Sequence, residues 1–312
     1  MLTTHARASN VEVRPLAKDS LDAVVALDRR ITGSPRRGYF QRRLDAALRW
    51  PKRHLQVAAW HDGALVGFIL ARRAGGEYGR PEAFVVLETV GVDPASQHHG
   101  VGQRLVAALA ELTHDRDVHH LVTQVDWRNH EMLRFLDSAG FALEPRLLLS
   151  RDVHRMPLPA TDEEVETFPP FVRVLREEDL DQVARIDRQI TGEDRFEYLR
   201  RKFDEALSES PIRVSLVAED DGFVVAFAMA RIDIGDFGHV APTASLDTLG
   251  VNPGFAHRGF ARATLGQMVD NLAALHVERL ETEIAHDAFE LARFLHAFGF
   301  VPSQRLSFGK RT

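Results

Sequence analysis

Glu88 is the single charge in the apolar run from Ala83 to Val92. A glutamate there is costly unless it is hydrogen-bonded or faces a cavity. Apolar surroundings would raise its pKa towards the range useful to a base, although a purely structural carboxylate fits the same pattern. Glu77, in Gly76-Glu-Tyr-Gly79, is a second candidate base or simply part of a turn. Just beyond the apolar run lies Gln97-His-His-Gly-Val-Gly102, followed by a helical stripe of Leu105, Val106, Leu109 and Leu112. Gly100 and Gly102 let the backbone turn tightly and let a ligand approach the main chain. The free N–H groups of the first helical turn then form a nest for an anion, with a diphosphate as the natural tenant. The next residues, Gln103-Arg104, are not the Lys-Ser/Thr of a Walker loop, and the third glycine of a dinucleotide fingerprint is missing. A glycine-rich helix start that only caps structure is the alternative.

The elements that must hold these residues occur twice. Leu27-Asp-Arg-Arg-Ile-Thr-Gly33 returns as Ile186-Asp-Arg-Gln-Ile-Thr-Gly192, and Leu87-Glu-Thr-Val-Gly-Val-Asp-Pro94 as Leu246-Asp-Thr-Leu-Gly-Val-Asn-Pro253. The same offset relates Tyr39 to Tyr198, Glu77-Tyr78-Gly79 to Asp236-Phe237-Gly238, and Gly140-Phe141 to Gly299-Phe300. A period this long means duplicated domains rather than a solenoid. The predicted units are residues 1–152 and 170–312, joined by a proline-rich acidic linker over 153–169. Within one unit, periodicity predicts helices over 21–30 and 42–48 and strands over 55–60 and 64–71, turning at His61-Asp62-Gly63. A long strand over 83–92 follows, then a helix from about Gly100, a strand over 121–125, a helix over 131–139 and a last strand over 141–149. The expected fold is α/β (α+β), with two tandem domains, each a mixed, mostly antiparallel central sheet flanked by helices.

These ordered motifs resemble the GNAT superfamily of acyl-CoA-dependent N-acetyltransferases. Val92-Asp93-Pro94 matches the family's strand end, and Gln97, Gly100 and Gly102 match its Gln/Arg-x-x-Gly-x-Gly/Ala loop. Asn129, Met132, Phe135 and Gly140-Phe141 match its last helix and following strand. The resemblance covers nearly the whole repeat, twice. It implies that main-chain groups of His98, His99, Gly100, Val101 and Gly102 cradle the pyrophosphate of acetyl-CoA. Val90, Val92 and Asn129 would then contact the pantetheine arm. The second copy would do so more weakly through Val251, His257, Arg258, Gly259, Phe260 and Ala261, because Ala256 and Ala288 replace Gln97 and Asn129. Where the family commonly carries a tyrosine acid, the two copies have Leu136 and Leu295. Some family members carry a strand glutamate at the position of Gln124, which the second copy retains as Glu283. Tyr39, Tyr78 and Trp127 are candidates for an acceptor pocket or for core packing.

The activity implied is acetyl transfer from acetyl-CoA to a primary amine on a small molecule or peptide. The alternatives are a non-catalytic acyl-CoA-binding or assembly module, suggested by the missing tyrosine, and a nucleotide-dependent enzyme. A net charge of −6 gives no general basic field for nucleic acid or an anionic membrane. Without cysteine there is no disulfide or thiolate metal site, which fits a cytoplasmic protein. His98-His99 and His119-His120 are adjacent pairs that seldom aim at one ion, so no metal is expected. Residues 1–10 are polar, predicting no signal peptide, and the longest apolar runs are too short to span a bilayer. Monomer and homodimer both fit the sequence.

Overall fold

The computed structural model describes residues 11–80, 82–154, 170–209, 212–233 and 242–312. Nearly all of the linker and the Asp236-Phe237-Gly238 counterpart of Glu77-Tyr78-Gly79 lie outside them. In the first copy the order is β1 (Val11–Pro15), α1 (Leu21–Thr32), α2 (Arg37–Arg49), β2 (His54–His61), β3 (Ala64–Gly75) and β4 (Ala83–Val92). There follow α3 (Val101–His114), β5 (His120–Asp126), α4 (His130–Ser138), β6 (Ala142–Leu143) and β7 (Arg146–Asp152). The second copy repeats this as β8 (Phe171–Val174), α5 (Leu180–Thr191), α6 (Phe196–Asp204), β9 (Leu216–Asp220), β10 (Phe223–Asp233) and β11 (Thr243–Val251). It ends with α7 (Phe260–Ala274), β12 (Arg279–Ala285), α8 (Phe289–Ala297), β13 (Val301–Pro302) and β14 (Arg305–Arg311).

Each sheet has seven strands and is antiparallel except at β4–β5 and β11–β12. Both faces are covered. Leu105 and Leu109 of α3 pack with Val57, Ile69 and Leu121 on one face, and Phe40 of α2 packs with Val24 and Phe68 on the other. The second copy buries Leu265 and Met268 of α7 and Phe203 of α6 in the same way. Burial on both faces explains why β3 and β4 read as continuous apolar runs rather than alternating ones.

The last strand departs from the expectation of one run over 141–149. Pro145 has no N–H for a ladder, and the chain breaks there into β6 and β7, which enter different sheets. β7 pairs along its whole length with β12 of the second copy, from Arg146↔Ala285 to Asp152↔Arg279. Reciprocally β14 pairs with β5 of the first, from Arg305↔Asp126 to Arg311↔His120. The two copies have exchanged their final strands. The repeat boundary at 152 therefore divides the chain in sequence, while each sheet is completed by the other unit.

Candidate active site

Two irregularities open each sheet at its centre. β3 and β4 pair as Leu70↔Thr89 and Ala71↔Leu87, so Glu88 is the extra residue of a bulge. On its other side β4 pairs with β5 only at Val85↔Leu121 and Val86↔Val122, and a last bond from Thr123 Oγ1 to the Leu87 carbonyl, 2.9 Å, marks where the strands part. Beyond that point the β5-facing edge of Thr89 to Val92 is free for a ligand running as an added strand. The second copy repeats the geometry. Asp247 is the bulge residue, and Thr282 Oγ1 bonds the Leu246 carbonyl at 2.9 Å.

The glycine loop stands at the mouth of this wedge. Gly100 has φ +78°, and only Gln103 Oε1, at 3.6 Å, lies near the position a Cβ would take. His98 adopts φ +62°. The first bond of α3 runs from Arg104 N to the Gly100 carbonyl, leaving the N–H groups before it directed at the loop. At Gly102 a Cβ would lie 2.6 Å from the Phe135 ring, so glycine there serves the packing of α3 on α4. The Gln97 side chain donates to the Val92 carbonyl at 3.3 Å and so ties loop to strand. Asn129 caps α4, accepting from Met132 N at 3.0 Å. The second copy keeps Gly259 with φ +81°, His257 with φ +60° and open space at the Gly259 Cβ position, but Ala288 gives α8 no side-chain cap. Both cradles fit a diphosphate, and the first has more side-chain support.

The carboxylates sit in surroundings unlike those expected. Glu88 is 2% exposed, but instead of apolar neighbours it meets two guanidiniums, Arg43 from α2 and Arg72 Nε from β3 at 2.8 Å. The apolar pocket that the strand's composition implied is thus replaced by an ion-pair cluster. The repeat preserves the arrangement: Asp247 is bound by Lys202 and by Arg231, the latter at 2.7 Å. Burial would raise the Asp247 carboxyl, but Arg231 and Lys202 hold it down at about 2.

Glu77 and Glu283 are interdomain ties. Glu77, 1% exposed, accepts from Gly75 N at 2.5 Å and has Arg201 and Lys202 of the second copy at 3.6 and 3.9 Å. Glu283 is gripped by Arg80, by Arg146 at 2.9 Å and by Gln124 at 3.0 Å. Gln124 and Glu283 are 159 residues apart and equivalent in the repeat, so their contact lies where the two copies meet about their pseudo-twofold axis. Both glutamates are thus occupied with holding the copies together.

Of the three aromatic candidates only Tyr39 lines a cavity beside Glu88. Its hydroxyl shares a 2.6 Å hydrogen bond with Thr89 Oγ1. Tyr78 belongs to the interdomain turn, where its carbonyl accepts from Arg146. Trp127 is 49% exposed and bonds Gln304 of the second copy at 2.6 Å, so it is a surface contact. Leu136 and Leu295 are each 1% exposed, so hydrocarbon occupies the position of the family's acid. Among the described residues no group of three or more His, Asp or Glu could hold a metal ion, and no helix is long and apolar enough to cross a membrane. The cations of α2 and β3 around Glu88 escaped sequence reasoning. Their only signal is the repetition of charge at Arg43/Lys202 and Arg72/Arg231.

The profile of the acetyltransferase (GNAT) family matches residues 22–141 and 179–300, most of both copies. The chain belongs to the GNAT family. A GCN5-related N-acetyltransferase from Sphaerobacter thermophilus superposes with a TM-score of 0.63 at 16% identity, over 97% of this chain and 96% of that one. A tandem GNAT protein of the clavulanic acid biosynthesis pathway gives 0.62 at 18%, over 97% and 98%. A GCN5-related glucosamine N-acetyltransferase region in a fungal multi-domain β-N-acetylglucosaminidase gives 0.67 at 14%, over 96% of this chain and 38% of that one. At such identities the likeness is one of fold, and the duplicated GNAT fold extends over the whole molecule. Family membership supports acyl transfer in general.

Proposed function

We propose that the protein is an N-acetyltransferase that takes its acetyl group from acetyl-CoA, works mainly through the first copy, and delivers the group to a primary amine. The observation that carries this reading is the wedge between β4 and β5 with the Gly100 cradle at its mouth. The cradle suits a diphosphate, and the free edge of Thr89 to Val92 suits a pantetheine arm. The neutral amine nitrogen would attack the thioester carbon, forming the C–N bond as the C–S bond breaks, and the nitrogen would give up its proton to water. With Leu136 in place of an acid, the departing thiolate takes its proton from water.

In the full chain, Gly100→Asp is expected to abolish acetyl-CoA binding by calorimetry, since a carboxylate repels the diphosphate at short range. Gly259→Asp is expected to leave the tighter binding event unchanged. If Gly259→Asp alone removes it, the second copy is the working one; if neither matters, the loops have been misread.

Glu88 holds Arg43 and Arg72 at the cleft, and we assign it placement of the amine rather than proton removal. Glu88→Gln should then lower turnover by less than about tenfold while leaving acetyl-CoA affinity intact, whereas loss of a general base would cost about 10²–10⁴. A loss in that range, with the acidic limb of the pH–rate profile abolished, would identify Glu88 as the base.

A further inference from the structure

A cavity of about 490 Å³ lies between the copies, walled by α2, β2 and β3 of the first and by α6 and β10 of the second. Its volume is that of a small-molecule site, and it touches the chemistry on both sides. Tyr39, Arg43 and Arg72 reach it from beside the Glu88 bulge, and Lys202 and Arg231 from beside the Asp247 bulge. Eight arginine and lysine side chains line it against two carboxylates, Asp45 and Glu205, in a chain whose net charge is −6.

Most of that charge is accounted for. Glu88 takes Arg43 and Arg72, Asp247 takes Lys202 and Arg231, and Glu205 meets Arg53 at 3.4 Å and Lys202 at 2.6 Å. Glu77 stands behind Lys202, and Asp45 accepts from Gln41. Counting all five carboxylates against the eight cations leaves an excess of three positive charges. Arg42, Arg49 and Arg73 are the lining cations for which the described residues provide no carboxylate within ion-pair reach; Arg49 lies over the Trp50 ring. All three are exposed, and so open to a ligand in the cavity they line. The imidazole of His54, also in the lining, reports the same field. Burial first, then Arg43, Arg72 and Arg53, push it down to about 3, so it is neutral at neutral pH.

We propose that this interdomain cavity binds a small polyanion bearing two or three carboxylate or phosphate groups, with Arg42, Arg49 and Arg73 as its anion contacts, and that these groups belong to the amine acceptor. The second clause rests on the acetyltransferase reading; the first does not. Guanidinium forks match carboxylate and phosphate oxygens in pairs. Because α6 and β10 supply one wall, neither copy makes the site alone, which gives the tandem arrangement a use.

Calorimetry on the full chain at low salt, with citrate and inorganic pyrophosphate as probes, tests the site directly. Citrate is expected to bind, and the R49A/R73A double variant to weaken it at least about tenfold, with melting temperature unchanged. Gly100→Asp should leave citrate binding unchanged, separating the cavity from the diphosphate loop. Pyrophosphate binding that survives Gly100→Asp and falls in R49A/R73A marks phosphate as accepted too, and pyrophosphate binding lost in Gly100→Asp alone restricts the cavity to carboxylates. Absence of citrate binding, or binding indifferent to Arg49 and Arg73, overturns the site. Acetyl transfer to acidic and neutral amines then tests the acceptor role: acidic amines should show the lower KM, and R49A/R73A should raise that KM with kcat kept. Transfer with no preference for acidic amines overturns the acceptor role. Arginine-dependent citrate binding without transfer to any amine overturns the acetyltransferase reading and leaves the polyanion site standing.

Discussion

At the scale of single residues, sequence pattern locates the carboxylates and tertiary neighbours decide what they do. Glu88 stands out because its strand is otherwise apolar, yet Arg43 lies far back on α2 and Arg72 on β3, and nothing in the run 83–92 announces them. Likewise His54 looks like an ordinary strand residue. Folding buries it and surrounds it with Arg43, Arg72 and Arg53, lowering its pKa from 6.5 to about 3. Between those two values the unfolded chain binds a proton that the folded chain refuses. This contribution is complete above about pH 6.5 and is lost as pH falls towards 3, to an extent of a few kcal/mol. Thermal melts between about pH 7 and about pH 5 are expected to show falling stability, and His54→Gln should flatten that slope. Asp247 and Glu205, held down at about 2, lose their contributions only at lower pH, from their ordinary carboxylate range downward. An unchanged slope in His54→Gln would show that the imidazole titrates normally.

At the scale of elements, periodicity and turn chemistry suffice for most of the secondary structure. The hairpin at His61-Asp62-Gly63 forms with Asp62 and Gly63 at positive φ, as its residue types require. Helix α3 begins at Val101, directly after Gly100 and within the loop expected to form the nest. The sheet that the last strand joins was not legible, because Arg146 to Asp152 has no period that distinguishes one sheet edge from another. The strand's destination is visible only in the contacts it makes. Arg151, 1% exposed, donates to the Phe298 carbonyl at 2.6 Å and lies over that ring, closing the C-terminus of α8. Its repeat partner Lys310 donates to the Ala139 carbonyl at 2.7 Å and closes α4. Helix C-termini leave carbonyls unpaired and favour cations, so each exchanged strand carries the cap for the helix it joins.

At the scale of the molecule, the exchange makes the two copies one folding unit. Residues 1–154 expressed alone would leave β5 without β14 and β7 without β12, two long unpaired edges that invite association. We expect either half alone to be aggregated or a swapped homodimer by light scattering. The halves co-expressed should copurify one to one with acetyl-CoA binding retained. Two monomeric halves with cooperative melting transitions would contradict the exchange.

The amino-acid sequence by itself determined the duplication, the order of elements, the GNAT family and the place of the glycine loop. These rest on local spacing: a fixed offset between repeats, glycines where φ is positive, and a proline-bounded strand end. Tertiary structure alone decided that β7 and β14 trade places, that Glu77 and Glu283 bind the copies together, and that a basic cavity opens between them. The physical reason is the repeat itself. Two near-equivalent sheets offer near-equivalent edges, so hydrophobic alternation and register fit either one. The choice falls to long-range pairs, such as Gln124 with Glu283 and Arg80 with Glu283, that exist only once both copies have folded against each other.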